Sequence, residues 1–142
     1  MAKNRLVVDY QYNFVLLALN ANVKPHKLAW AINNELKLGL IREPNINLEF
    51  TRGRSLSIIN FMAETEHQTV RLILNKSENI NEQYGPFLIP ELKNFDYLLV
   101  LENESNTFDE NAFINNTKQI PFVQFAIKVD LQTLKSRDNL IF

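Results

Sequence analysis

Phe95-Asp96-Tyr97-Leu98-Leu99-Val100-Leu101 is apolar at every position except Asp96. A strand with one wet face alternates apolar and polar side chains, so an unbroken run of this kind predicts a strand covered on both faces, at the centre of a sheet. Upstream, Thr69 to Asn75 (Thr-Val-Arg-Leu-Ile-Leu-Asn) and Leu56 to Glu64 (Leu-Ser-Ile-Ile-Asn-Phe-Met-Ala-Glu) read as two strands, joined by Thr65-Glu66-His67-Gln68, a polar connection of hairpin length. Before them Ile46, Leu48 and Phe50 alternate with Asn47 and Glu49, which predicts a third strand, and a turn follows at Arg52-Gly53-Arg54. Three antiparallel strands in sequence are the natural inference.

Further out, Pro25 suits a first helical turn, Leu28, Ala31, Ile32 and Leu36 follow the three-and-four spacing of one helix face, and Gly39 supplies a stop; a main helix is predicted over about 25–38. Arg5 to Ala21 is β-rich and reads as one or two strands. Past the central strand, the acidic, Asn-rich loop from Glu102 reaches Asp109, which can cap a short helix over about 109–118 with Ala112, Phe113 and Ile114 inward. Ile120 to Val129 is a further strand, with Val123, Phe125, Ile127 and Val129 assigned to one face, and Asp130 can cap one more turn. Lys76 to Pro86 is a polar loop. The order points to an α+β fold: a single, mostly antiparallel sheet of about five to six strands with both helices on one face. No linker or repeat divides residues 1–142, so one domain is expected.

Composition narrows the chemistry. Apolar residues are 46% of the chain, enough for a core, and three scattered glycines (Gly39, Gly53, Gly85) cannot form a phosphate-cradling loop. The absence of cysteine excludes disulfides, thiolate zinc sites, iron–sulfur clusters and cysteine nucleophiles. Fifteen Lys and Arg against sixteen Asp and Glu give a charge of −1 and no broad attraction for nucleic acid or an anionic membrane, so neither is expected as a partner. No apolar run is long enough to span a bilayer, the first residues do not resemble a signal peptide, and a cytoplasmic location is expected. His26 and His67, the two histidines, sit at unrelated positions and give neither metal-ligand spacing nor a nucleophile–base pair; no metal, cofactor or catalytic residue is assigned.

One segment carries a resemblance. Ile89-Pro90-Glu91-Leu92-Lys93-Asn94-Phe95-Asp96-Tyr97 resembles the signature of the IPExxxVDY family, small bacterial proteins to which the motif brings no known activity. Ile89, Pro90, Glu91, Asp96 and Tyr97 match it, and Phe95 stands where the family has Val. The Leu28, Trp30, Asn33 helix and the Asn139-Leu140-Ile141-Phe142 ending also look like other members.

Read on its residues alone, the segment is punctuation: Pro90 fixes its own φ and pushes Ile89 toward extended backbone, Glu91 serves a cap, and Tyr97 packs its ring. The functional alternative gathers Glu91 and Asp96 with the Tyr97 hydroxyl into an acidic patch for a cationic ligand or basic peptide, although strand alternation sets Asp96 and Tyr97 on opposite faces. Trp30 falls off the Leu28 and Ile32 face; a core position at its rim is expected, and an exposed Trp30 would be the strongest anchor for a partner. Glu91, Asp96, Tyr97 and Trp30 are thus the candidate binding residues. Arg52, Arg54, Arg71 and Lys76 could gather into a small basic patch, though a solvated edge is the preferred reading. The expected function is a non-catalytic binding or interaction module acting on an unknown protein partner or as a homodimer. A small ligand-binding protein or enzyme using Glu91, Asp96 and Tyr97, and an RNA-associated adaptor, stand as alternatives.

Overall fold

The structure, a computed structural model, describes residues 14–50, 53–79, 85–104 and 108–141. Six strands and two helices follow in the order β1 (Phe14–Ala21), α1 (Pro25–Leu36), β2 (Ile41–Glu49), β3 (Ser55–Glu64), β4 (Gln68–Leu74), β5 (Tyr97–Asn103), α2 (Glu110–Lys118) and β6 (Val123–Val129). The strands form one sheet in the order β2-β3-β4-β5-β1-β6, antiparallel at each pairing. This is the α+β fold expected, with one main and one short helix. Arg5 to Asn13 of the expected N-terminal strand region, Arg52, and the 105–107 part of the acidic loop lie outside the described residues.

β5 is central, between β4 and β1, and Tyr97 to Leu101 are all buried. Alternation sends Tyr97, Leu99 and Leu101 into the core under the helices, with Leu17, Leu19, Leu28, Ile32 and Phe113, and sends Leu98 and Val100 to the other side. Among the described residues no α-helix covers that other side. Leu88 and Ile89 from the segment before β5, and Leu131, Leu134 and Leu140 from the chain after β6, pack there on Leu16, Ile58, Ile73 and Leu98. The unbroken apolar run of β5 is the sequence trace of this two-sided cover.

Local chemistry sets the helix ends. The Asp109 carboxylate accepts from the Ala112 N–H, so the expected cap holds and α2 starts one residue later. α1 stops at Leu36, short of the predicted 38, because Lys37 and not Gly39 adopts the left-handed conformation, φ 56°. The Asn33 side chain accepts from Leu40 N–H at 2.8 Å and donates to Leu40 C=O at 3.1 Å, drawing the chain off the helix toward β2. Strand β2 starts earlier than read, at Ile41, and carries Pro44 at a break in register between Glu43 and Ile46. Val123 leaves the face assigned to it: a bulge where Asn20 pairs with Phe125 and Ala21 with Val123 turns Val123 onto the helix-side core.

Asn75, at the end of β4, ties the two layers together. Fully buried, it accepts from Ile89 N–H at 2.8 Å and donates to the carbonyls of Leu92 at 2.9 Å and Ile89 at 3.2 Å. Its backbone N–H donates to Asp96 C=O and its carbonyl accepts from Leu88 N–H. Removing the carboxamide strands buried backbone groups, so Asn75→Ala is expected to cost about 1–3 kcal/mol in urea unfolding. Asn75→Asp is expected to cost more at neutral pH, because a buried carboxylate would face carbonyl oxygens.

Candidate functional site

The Ile89–Tyr97 segment begins with Ile89 in extended backbone and buried; Pro90–Leu92 make one 3₁₀ turn, and Phe95 N–H donates to Leu92 C=O before the chain enters β5. Glu91 lies exposed in this turn. Its carboxylate accepts the Ser136 N–H at 2.9 Å, which holds the C-terminal chain against the segment, and the Asn139 side chain reinforces this by donating to Leu88 C=O at 2.8 Å. Partial burial acts to raise the Glu91 pKa, but hydrogen bonds from Ser136, from its own backbone and from Lys135 outweigh it and hold the carboxyl below the ordinary glutamate range.

Tyr97 is buried, and its hydroxyl donates to Val23 C=O at 2.6 Å, pinning the turn that leads into α1. Burial, with the neighbouring Asp96 carboxylate adding to it, pushes its pKa up to about 12. Asp96 stays exposed, its N–H shared between Leu19 C=O and the Asn20 side chain. Trp30 corrects the expectation of a core position. It is 62% exposed, because α1 buries Leu28, Ala29, Ala31 and Ile32, and position 30 lies on the far side of the helix from them. The four candidates therefore do not converge: Glu91 serves the C-terminal chain, Trp30 points outward from α1, and only Asp96 and Tyr97 share a cavity.

That cavity is an open cleft of about 500 Å³ at the end of the sheet where β5 begins. Ala21, Val23, Leu74, Phe87 and Phe95 give it apolar walls, and Lys24, Lys76 and Lys93 stand around Asp96. Three lysines against one aspartate make it basic, so the acidic patch drawn from Glu91 and Asp96 is not what the fold assembles. None of the three lysines is in an ion pair among the described residues. The N-terminus of α1 opens beside it at Lys24, with no side-chain cap and no acid in its first turn. Sequence reading singled out Lys76 only for a different patch and missed Lys24, Lys93 and Phe87. Of that other patch, Arg52 lies outside the described residues, Arg54 lies over the Phe50 ring, 4.6 Å from its centroid, and Arg71 donates to the Asn60 side chain at 2.9 Å.

At the opposite end of the sheet Glu64, Glu66, Glu102 and Glu104 surround His67 in a smaller depression. No group of three or more His, Asp or Glu in metal-holding geometry occurs among the described residues. No described helix is long and apolar enough to cross a membrane. Compared with family models, curated proteins and solved structures, the chain matches none of them.

The Tyr97 hydroxyl is ionised more readily in the unfolded chain, near pH 10, than in the fold, near 12. Its stabilising effect is complete below the unfolded value and lost as the pH rises through that window. Urea unfolding of wild type and Tyr97→Phe is expected to show the variant weaker by about 0.5–1.5 kcal/mol at neutral pH, the difference closing above pH 10. For Glu91 the sign is opposite: its contribution is present above the ordinary value of 4.5 and fades as the pH falls through the lower folded value, a slope that Glu91→Gln should remove.

Proposed function

We propose that this protein is a non-catalytic binding module whose ligand carries a phosphate or carboxylate group, received in the cleft beside Asp96 and Tyr97. The observation that carries the reading is the set of three ammonium groups, without ion-pair partners among the described residues, around an apolar-walled cavity. Cations grouped at a concave site attract an anion, and the positive end of the α1 dipole, which begins at Lys24 of the same cleft, acts in the same direction. Phe87 and Phe95 favour a ligand that joins the anionic group to an apolar body. The Tyr97 hydroxyl, engaged with Val23 and held protonated, is a poor proton carrier at neutral pH, which supports binding over catalysis.

On the Ile89–Tyr97 segment we further assign the chain to the IPExxxVDY family, and with it to a bacterial, cytoplasmic setting. What supports the assignment is that the matching residues have distinct jobs. Ile89 fills the core, Pro90 opens the turn, Glu91 holds the C-terminal chain, Asp96 lines the cleft and Tyr97 ties β5 to α1.

Thermal unfolding in the presence of pyrophosphate, citrate and spermidine tests the charge preference. Pyrophosphate or citrate is expected to raise the melting temperature, by an amount equivalent to about 2.7 kcal/mol at a hundred times the dissociation constant, and to lose the effect in high salt. Lys76→Ala with Lys93→Ala should abolish the rise while leaving unliganded stability unchanged, since both side chains are exposed. Stabilisation by spermidine alone, or by neither anion, would contradict the reading.

A further inference from the structure

We infer that β6 is a self-association edge, and that its partner is β6 of a second copy of this chain, aligned antiparallel about a two-fold axis at Ala126. The two edges of the sheet are treated differently. On β2, Pro44 removes a donor, the register breaks between Glu43 and Ile46, and Arg42 and Glu43 add charge, all of which discourage pairing with another chain. On β6 there is no proline or glycine, and the strand pairs only with β1 among the described residues. From Phe125 to Val129 its register with β1 is regular, the bulge being confined to the beginning of the strand.

Phe125 and Ile127 lie on one face of this open edge, opposite Asn20 and Ala18 of β1, and are 65% and 45% exposed. The C-terminal chain covers Val129 on that face and leaves these two bare.

The strand is its own complement. In Val123-Gln124-Phe125-Ala126-Ile127-Lys128-Val129 the residue types read alike in both directions from Ala126. An antiparallel copy centred there sets Phe125 against Ile127 of the second copy and Ile127 against its Phe125. These are two aromatic-to-β-branched pairs of the kind that stabilise cross-strand contacts, made by the two side chains that need cover. Charge selects the same register. Lys128, whose ammonium binds Glu110 of α2 within its own chain, faces the neutral Gln124 of the copy, whereas centring the pair on Lys128 would set two ammonium groups opposite each other. The result is an isologous dimer with a continuous sheet through both subunits. One short edge buries less than the roughly 800 Å² per partner of a standard interface, the size class of weak, transient association.

Sedimentation equilibrium on the full chain, with Ile127→Lys and Phe125→Lys as separate variants, tests this. Both side chains are exposed, so each variant should keep the wild-type circular dichroism and melting temperature measured where the wild type is monomeric. Wild type is expected to dimerise below about 100 μM, and each variant to weaken the dimer at least tenfold. Because the chain has no cysteine, Ala126→Cys introduces a single thiol, and mild oxidation of that variant is expected to cross-link the dimer. A wild type monomeric at about 100 μM, or a dimer that survives both lysine substitutions, would overturn the inference.

Discussion

One buried carboxamide holds the two halves of this architecture together. The helix-side core is an ordinary amphipathic solution, with Leu28 and Ile32 of α1 and Phe113 of α2 laid on Leu17, Leu19 and Leu99. Among the described residues the other face has no α-helix to cover it and is closed by loops and 3₁₀ turns, whose backbone polar groups need partners when buried. Asn75 supplies several of them at once: its side chain meets Ile89 and Leu92, and its backbone meets Leu88 and Asp96. An apolar residue there would leave Ile89 N–H without its side-chain partner.

From that anchor the cleft follows almost mechanically. Fixing Ile89 and Leu92 sets the turn that carries Lys93 and Phe95, and the chain leaving Asn75 carries Lys76 toward the same opening. Tyr97, the first residue of β5, reaches under the helices to Val23, so the start of α1 and Lys24 are held at the rim by the same strand that follows the turn. The sheet is consequently polar along its length, lysines at this end and the glutamates around His67 at the other. The net charge of −1 conceals this separation, because composition averages over the whole surface.

What the sequence revealed and what it hid divide along range of interaction. β5 was legible because two-sided burial writes itself into consecutive residues, and the start of α2 because a cap acts within three residues. The end of α1 was misread because Gly39 is the commoner stop, while the actual one is enforced by Asn33 clamping Leu40. Trp30 was misplaced by its average tendency to be buried, when the helix period including Ala29 points it outward. Val123 was assigned by strict alternation, which a bulge interrupts. The cleft was the least legible feature: Lys24, Lys76 and Lys93 lie in three separate segments, and only the register Leu19–Tyr97–Leu74 brings those segments side by side. Likewise nothing near Asn75 in the sequence announces a partner fourteen positions on, at Ile89.

The central claim, that the Ile89–Tyr97 segment is an internal layer of the fold locked by Asn75, is tested most directly by hydrogen exchange of the Ile89 amide in the native protein. If Asn75 holds that N–H as described, it will exchange only with global unfolding, at the rate of the β5 amides on which it packs. Exchange at the rate of an exposed turn, while β5 stays protected, would mean that the segment opens independently, and would contradict the account.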